Sequence, residues 1–322
     1  MSAGNRKKSS ANGPGDHLWD ILRAGGPFED FPRHDGRIDL RNKRIAVPRV
    51  KDVGAFGPYP VGRLSLTPSL RKVYLKDIDF SGSKLIHLQM AQSSFTNCRF
   101  DIADFRYWLM WSTRIADCSF VGTRLDESQL GAVLPDGSQN RFKRVKFVRS
   151  RMKHVDCAGA VFDECLFENV AMDGTEFGSA CSFTHCTFRG EIHDVQFGSR
   201  VLLPNDQRRL YGELPRGILD CVDFSRAVLR YVAFGDVQIG DVRWPDPTTH
   251  VVLTGYRSCI DRLLAAFART GADEVASRYF HTIRESLGEH EEVGVFYKPD
   301  LINLLGKRTA VRVLSLLEDL QS

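Results

Sequence analysis

Residues 70–130 read LRKVYLKDIDFSGSKLIHLQMAQSSFTNCRFDIADFRYWLMWSTRIADCSFVGTRLDESQL, and a large apolar side chain occupies every fifth position. The thirteen positions are Leu70, Leu75, Phe80, Leu85, Met90, Phe95, Phe100, Phe105, Met110, Ile115, Phe120, Leu125 and Leu130. Because roughly half of the residues in a protein are apolar, such a run arises by chance on the order of once in ten thousand stretches. The period of five is therefore a property that the fold must explain.

A period of five fits neither of the regular secondary structures. A helix repeats its face about every 3.6 residues and a strand about every 2, so neither keeps these side chains on one side over so long a stretch. The residue two positions before each large one is mostly small or β-branched, as at Val73, Ser83, Cys98 and Thr123. A chain that alternates short extended segments with corners would point one large and one small residue inward on each side. The pattern predicts a solenoid with a narrow, dry core.

The same pattern resumes twice after breaks that contain Pro and Gly. The first break is GAVLPDGSQ at 131–139, and the second lies near 200–216 within RVLLPNDQRRLYGELPRG. Both compositions predict loops. The large positions then continue as Phe142, Phe147, Met152, Cys157, Phe162, Phe167, Met172, Phe177, Phe183 and Phe188, and later as Leu219, Phe224, Leu229, Phe234, Ile239 and Trp244. The repeat region is predicted to span 70–247.

Units such as CRFDI (98–102), ADFRY (103–107), CTFRG (186–190) and VDFSR (222–226) resemble the pentapeptide repeat family, whose units read roughly Ala-Asp/Asn-Leu/Phe-x-x. The resemblance implies a right-handed quadrilateral parallel β-helix with four units per coil. The fold class that we expect is an all-β solenoid with an N-terminal cap and a C-terminal α-helical segment. Coils ~4.8 Å apart would make a rod roughly 30 to 35 Å long. Trp108 occupies a small-residue position, which predicts a bulge or a local shift of register.

The segments that flank the repeats have different compositions. Residues 1–16 are rich in Gly, Ser, Asn and Lys, which predicts a disordered tail. Residues 17–69 are expected to cap the open end of the solenoid, beginning with a short helix in DHLWDILRAGG that Asp16 would cap. Residues 248–322 predict helices, one ending at Gly271 and one running from Asp273 to Gly288. The leucine-rich tail either caps the last coil or forms a homodimer face.

The composition favours a cytoplasmic protein. Of 322 residues, 43% are hydrophobic and 26% are charged, which is enough for a substantial core. No apolar run approaches the eighteen or so residues that cross a bilayer. The N-terminal MSAGNRKKSSANGPG lacks the apolar segment of a signal peptide. We expect no contact with a membrane.

The eight cysteines fall mostly on inward positions of the repeat. Those at the small position are Cys98, Cys118, Cys165, Cys181 and Cys186, and Cys157 takes a large position. No C-x-x-C occurs. The pattern predicts buried, reduced thiols that pack the core, with a redox or metal role as the alternative.

The predicted solenoid carries no net charge. Residues 70–247 contain 23 basic and 23 acidic side chains, so the net charge of +4 comes from the flanking segments. Family members that bind DNA gyrase resemble duplex DNA in width and in negative charge, and this rod would offer the shape without the charge. A protein that binds DNA gyrase or another topoisomerase, of the quinolone-protection type, is therefore the alternative interpretation.

A basic run, RFKRVKFVRSRMK, lies between Arg141 and Lys153. Because consecutive units turn a corner, Arg141, Lys146 and Arg151 should project from three different sides. The run then forms a girdle around the rod, and nucleic-acid binding is not expected.

The sequence shows no motif that indicates catalysis. No G-x-G-x-x-G occurs, LLGKRT does not complete a phosphate loop, and His281 and His290 lack a third ligand at metal-binding spacing. We expect no catalytic residues, no cofactor and no metal. An enzyme that uses the C-terminal helices is the least favoured alternative.

Outward aromatic and arginine side chains give the best indication of function. Tyr107 and Trp111 take outward positions in FRYWLMWS, where an exposed tryptophan needs a cover, either the N-terminal cap, which we favour, or a partner protein. Arg208, Arg209 and Tyr211 lie in the second loop, and long loops often carry contacts. These five residues are the candidate interaction surface of a non-enzymatic scaffold whose partner is a protein of unknown identity.

Overall fold

The computed structural model describes residues 14–47, 70–198, 214–270, 274–288 and 291–319. Within these residues the chain consists mainly of short parallel strands, with helices near both ends. No helix in these ranges combines the length and the apolar character that crossing a membrane requires.

Strands that lie about twenty residues apart in sequence pair side by side and in parallel. Leu75 lies opposite Phe95, and Phe95 in turn lies opposite Ile115. Most five-residue units contribute a short strand or an isolated bridge, and most consecutive short strands join different sheets. The period of five therefore becomes a stack of parallel strands, which we call the repeat stack (residues 70–198 and 217–243).

The described strands form two large sheets and two small ones. The eight-stranded sheet contains β4 (Tyr74–Lys76), β7 (Ser94–Thr96), β9 (Arg114–Ala116), β11 (Asn140–Lys143), β13 (Ala160–Asp163), β16 (Ser182–Thr184), β18 (Gly217–Asp220) and β20 (Val237–Ile239). The nine-stranded sheet contains β10 (Ser119–Val121), β12 (Lys146–Val148), β14 (Leu166–Glu168), β15 (Thr175–Phe177), β17 (Thr187–Phe197), β19 (Val222–Phe234), β21 (Val242–Arg243), β22 (His250–Thr254) and β23 (Val293–Tyr297). The small sheets contain β3 (Leu70–Arg71), β6 (Gln89–Ala91) and β8 (Leu109–Trp111), and β1 (Arg33–His34), β2 (Arg37–Asp39) and β5 (Ile78–Asp79).

Insertions between units change the sequence spacing without disturbing the pairing. After the loop at 131–139, Phe120 of β10 lies opposite Phe147 of β12. One further residue is absorbed before Phe183, which lies opposite Phe162. Of the second predicted loop, residues 200–213 lie outside the described residues.

Columns of stacked phenylalanines fill the core. Phe80 stacks on Phe100 at a centroid distance of 5.4 Å and an interplanar angle of 5°. Phe100 stacks on Phe120 at 4.7 Å and 19°, and all three rings are buried. This confirms the prediction that residues spaced by one coil share a column. Rings of neighbouring columns meet edge to face, as Phe95 and Phe100 do at 5.1 Å, an arrangement that suits the aromatic quadrupole.

The small inward position carries hydrogen bonds as well as packing. Thr123 Oγ1 donates to the carbonyl of Phe100 at 2.6 Å, and Ser93 Oγ donates to that of Leu70 at 2.9 Å. Trp108 makes the equivalent bond, because its Nε1 donates to the carbonyl of Leu85 at 2.8 Å. The ladder through β8 continues without a shift, so the predicted bulge or change of register at Trp108 is wrong. The indole fits because its N–H replaces the usual hydroxyl donor.

Corners between the sides use left-handed backbone conformations. In residues 70–130 the corner residue, two positions after the large one, has φ between 46° and 70° at Lys72, Asp77, Gly82, His87, Gln92, Asn97, Ile102, Tyr107, Ser112, Asp117, Gly122 and Glu127. Gly, Asn and Asp adopt this region most readily. The corner residues point outward, so this column of positions decides what each coil presents to solvent.

Seven of the eight cysteines are buried, and none forms a disulfide. Cys98 N–H donates to Cys118 Sγ at 3.4 Å, so these two residues stack one coil apart as predicted. Burial raises the pKa of the Cys118, Cys157, Cys181 and Cys186 thiols. Cys221 is the exposed one, and it occupies a corner with φ 53°.

The N-terminal segment pairs with the first coil. Helix α1 (Pro14–Ala24) buries Leu18, Trp19 and Leu22 in the same core as the repeats. It begins at Pro14, so the prediction that Asp16 caps it is wrong: Pro at the first helical position leaves Asp16 within the first turn. Strand β2 then runs parallel to β5, with Ile38 opposite Ile78.

The C-terminal residues form a module with its own core. Its helices are α2 (Tyr256–Thr270), α3 (Glu274–Ser286), α4 (Lys298–Leu305) and α5 (Lys307–Asp319). The expectation of helices alone is incomplete, because the antiparallel strand pair of β22 and β23 joins the module to the repeat stack. Ala233 of β19 lies opposite Gly294 of β23.

Polar contacts reinforce this junction. Leu229 N–H donates to His250 Nε2 at 3.1 Å, and burial lowers the pKa of His250, which keeps that nitrogen available as an acceptor. Arg230 forms two bonds to the Asp300 carboxylate at 2.9 and 2.7 Å. The module therefore covers the open edge of the last long strand.

Candidate functional site

Tyr107, a predicted surface residue, lies at a corner of its coil. Its backbone has φ 64°, and its ring stacks on His87 of the preceding coil at 4.7 Å and 15°. The Arg106 guanidinium lies 5.9 Å from the centre of the same ring, within the range of a cation–π contact. Asp104 holds that guanidinium with bonds of 2.8 and 3.0 Å. The aromatic pair is thus fixed in position on the outer surface.

Ile102 occupies the preceding corner of the same coil and was not predicted from the sequence. Its side chain is 77% exposed, although its φ of 57° is a conformation that costs a β-branched residue about 1–2 kcal/mol. A β-carbon at Gly122 would lie 3.9 Å from Ile102 Cγ1, so the isoleucine leans over the bare corner of the next coil. We call His87, Ile102, Arg106 and Tyr107 the corner patch. The sequence could have indicated this residue, because Ile102 occupies a corner position whose backbone conformation suits glycine and short polar residues better than isoleucine.

Trp111 does not belong to the exposed surface, which corrects the prediction of an outward tryptophan awaiting an N-terminal cap or a partner. Its side chain is 5% exposed and packs with Ala91, Ala132 and Leu134. Ala132 and Leu134 belong to the loop at 131–139, so that loop is its cover. Sequence reasoning missed this because the loop returns across the face of its own coil: a β-carbon at Gly159 would lie 2.4 Å from Val133 Cγ2.

The remaining predicted surface residues, Arg208, Arg209 and Tyr211, lie outside the described residues. Their role stays a prediction.

The basic run from Arg141 to Lys153 forms a girdle as predicted. Arg141 lies in β11 of the eight-stranded sheet, Lys146 lies in β12 of the nine-stranded sheet, and Arg151 bridges to Arg124 on a third side. Its charges are spread around the stack and do not form one basic face.

Carboxylates of neighbouring coils neutralise much of this girdle. Lys143 pairs with Asp163 at 2.6 Å, Arg144 with Asp117 at 2.6 Å, and Lys153 with Asp173 at 2.9 Å. The bonds from Arg144 lower the pKa of Asp117, and those from Lys153 lower the pKa of Asp173. Each exposed pair contributes little to stability. Together they reduce the charge that the girdle offers to a phosphate backbone or to another charged partner.

Asp156 has an unusual environment on the side that the 131–139 loop crosses. Its backbone lies between those of Gln129 and Glu176 of the adjacent coils. Burial, together with the Glu176 carboxylate, raises the pKa of Asp156 to about 6. Hydrogen bonds from Ala158 N–H and from the Gln129 side chain act in the opposite direction and lower it. Asp156 is therefore a carboxyl that becomes protonated more readily than an ordinary aspartate.

No cluster of three or more His, Cys, Asp or Glu side chains suited to a metal ion occurs within the described ranges. The described residues therefore offer an outward patch, a partly paired charge network and one carboxyl, that of Asp156, with a raised pKa.

Comparisons with known proteins give similarity at low identity. No family model matches the sequence, and no curated protein matches it. Among solved structures, the chain is similar to HetL, a pentapeptide repeat protein involved in heterocyst differentiation regulation from the cyanobacterium Nostoc sp. strain PCC 7120, at 13% identity and a TM-score of 0.21 over 55% of this chain and 85% of that one. It is also similar to full-length QnrB1, a plasmid-mediated fluoroquinolone resistance protein, at 14% identity and a TM-score of 0.24 over 59% of this chain and 98% of that one.

Proposed function

We propose that this chain is a non-enzymatic scaffold of the pentapeptide-repeat type, a right-handed four-sided β-helix that binds a protein partner through its outer corners. The observation that carries the proposal is Ile102. A large apolar side chain is 77% exposed there and is held in a backbone conformation that disfavours it. Because the fold imposes this conformation at the corner, a residue that suits it poorly is a candidate for a role other than folding.

The chemistry of the corner patch suits a protein surface. Burying the isoleucine under a partner would contribute about 2 kcal/mol. Tyr107 and Arg106, which lie in the following unit of the same coil, belong to the residue types that dominate binding energy at interfaces. Because Arg106 is already bonded to Asp104, it offers its flat face rather than a free charge. An apolar and aromatic patch of this kind favours a protein over a nucleic acid.

The charge distribution argues against the alternative of a gyrase- or topoisomerase-binding rod. Residues 70–247 are neutral, and several girdle charges, those of Lys143, Arg144 and Lys153, are paired within the chain. A basic DNA-binding surface would gain little long-range attraction from such a rod. The homodimer through the C-terminal helices and the roles of Arg208, Arg209 and Tyr211 stay open to the same experiments.

Capture of partners from a lysate of the native host tests the proposal. Wild type, Ile102→Asp and Tyr107→Ala would be compared with Tyr74→Ala, which removes another exposed aromatic side chain from β4 (70% exposed). We expect a protein that wild type and Tyr74→Ala retain and that Ile102→Asp loses by about tenfold or more. Identical sets of captured proteins from all four chains would contradict the proposal.

A supercoiling assay with purified gyrase distinguishes the scaffold proposal from the alternative of a gyrase-binding protein. The scaffold proposal predicts no inhibition at low micromolar protein. Inhibition that Ile102→Asp leaves unchanged would instead establish the gyrase-binding function.

A further inference from the structure

A cavity of about 350 Å³ lies between the repeat stack and the C-terminal module. Its walls come from β19, from helices α2 to α4 and from β23. Six aromatic side chains line it: Tyr231, Tyr256, Tyr279, Tyr297, Phe234 and Phe296. A space of this size, with an apolar wall and a few polar groups, is typical of sites for small molecules.

The aromatic wall is held in place by close packing. The Tyr256 ring lies flat against the backbone of β23, where a β-carbon at Gly294 would come within 2.3 Å of it. Tyr256 also meets Phe296 edge to face at 5.9 Å, and Tyr279 meets Phe280 at 5.0 Å. The rings are therefore positioned before any ligand enters.

The charged groups that line the cavity are carboxylates. They are Glu291 and Asp300, and the described lining includes no Lys, Arg or His. Arg230 pairs with Asp300 from beyond the lining and lies 5.9 Å from the centre of the Tyr297 ring. Glu291 has Arg257 nearby, but Arg257 donates to the carbonyls of Leu287 and Gly288 at 2.6 and 2.8 Å. The Glu291 charge is thus the less compensated of the two.

The titrating groups of the wall report an environment that disfavours further negative charge. Burial raises the pKa of Glu291. Burial, with Tyr231 and Asp300, raises the pKa of Tyr279 to about 12, and burial with Tyr279 and Glu291 raises that of Tyr256. Burial, the main cause of these shifts, disfavours an ion of either sign, whereas the neighbouring Glu291 and Asp300 carboxylates disfavour an anion and favour a cation.

We propose that this cavity, lined by four tyrosines, two phenylalanines and two carboxylates, binds a small organic cation of the quaternary-ammonium class. The faces of the aromatic rings attract such a cation electrostatically, and its methyl groups replace water against them. Glu291 supplies the counter-charge. A quaternary ammonium needs no hydrogen-bond acceptor, so the lining provides every interaction that the cation requires.

Choline and its neutral isostere 3,3-dimethylbutan-1-ol test the proposal directly, because the two molecules share shape and differ in charge. Binding to the full chain would be measured by isothermal titration calorimetry up to about 10 mM ligand. We expect choline to bind at least about tenfold more tightly than the alcohol. Equal affinities, or no choline binding in this range, would overturn the proposal.

Two glutamate variants locate the site. Glu291→Gln should weaken choline binding by about fivefold or more and leave the alcohol unaffected, since only the counter-charge is removed. Glu292→Gln changes the adjacent carboxylate, which pairs with Arg216 and does not line the cavity, so choline should bind it as it binds wild type. Thermal unfolding of both variants controls for folding. Equal choline affinity for Glu291→Gln and wild type would also contradict the assignment.

Discussion

At the scale of single residues, many of the side chains at the small inward position supply a hydrogen-bond donor as well as fitting the space. Hydroxyl, thiol and indole groups at this position all donate to a carbonyl of the preceding coil, as Thr123, Cys118 and Trp108 do. The sequence predicted which residues point inward, because the period of five is local. It did not predict that Trp108 fits, because the prediction considered only the size of the side chain. The hydrogen bond from the indole N–H to the Leu85 carbonyl could not be predicted from size.

Thr123→Val isolates this hydrogen bond. The two side chains have nearly the same shape, and valine occupies the same position at Val145 and Val155. Removing the hydroxyl leaves the Phe100 carbonyl without that donor, so we expect a loss of about 1 kcal/mol in the free energy of unfolding, measured by urea titration. Thr123→Ser, which keeps the donor, is the control. A valine variant as stable as wild type would show that the bond contributes nothing.

Ile102 links stability to the proposed function. Asparagine adopts the left-handed corner conformation with less strain, so Ile102→Asn should raise the free energy of unfolding by about 1 kcal/mol while it weakens partner capture. Ile102→Val keeps the β-branched strain and should show no gain. If asparagine destabilises the chain, the corner is not strained in the way described.

Thiol labelling tests the inward assignment of the cysteines. In the native state we expect one thiol per chain to react rapidly, that of Cys221, because the other seven are buried. Partial desolvation raises the pKa of the Cys221 thiol, and the charges of Asp220 and Asp241 raise it further. Because the thiolate is the reactive form, labelling of Cys221 should accelerate as the pH increases. Mass spectrometry identifies the site, and Cys221→Ser should abolish the rapid phase. Rapid reaction at Cys98 or Cys118 would contradict the fold.

At the scale of elements, columns of outward residues couple neighbouring coils. Asp156 lies between Gln129 and Glu176, and its pKa is raised to about 6. A carboxyl whose pKa is higher in the folded state than in the unfolded chain contributes stability that is fully present below about pH 4. That contribution is lost as the pH rises through about 6.

Asp156→Asn should therefore stabilise the protein at pH 8 by on the order of 2 kcal/mol, and this advantage should disappear near pH 4. Glu176→Gln removes the neighbouring charge and should move the wild-type pH dependence to lower pH. Unfolding free energies measured from pH 4 to 8 give the comparison. A difference between Asp156→Asn and wild type that does not vary with pH would refute the shift.

The antiparallel pair of β22 and β23 could not be predicted from the periodicity of the sequence. Each strand is a single five-residue segment, and two helices separate it from its partner. No repeating sequence pattern therefore predicts either strand. Gly294 was also not singled out, although the ring of Tyr256 requires it. The cavity of the C-terminal module arises from that pairing, which is why it was absent from the sequence predictions.

At the scale of the whole molecule, a repeated unit makes the architecture tolerant of changes that respect its period. Met90 and Met110 lie opposite each other in adjacent coils. The twenty residues 91–110 therefore make one complete coil. Three residues of the corner patch, Ile102, Arg106 and Tyr107, lie within this segment, while N-terminal contacts such as Ile38 with Ile78 lie outside it. Stability in a stack of this kind is close to a sum over neighbouring coils.

Deletion of residues 91–110 is the most direct test of the twenty-residue coil. Met90 then precedes Trp111, every later unit keeps its column, and the chain should retain its β-sheet circular dichroism and one cooperative urea transition with a smaller m-value. Deletion of 91–100 removes half a coil and places each later unit opposite the wrong side, so we expect loss of cooperative unfolding. Equal behaviour of the two deletions, or collapse of the twenty-residue variant alone, would contradict the stacked-coil architecture.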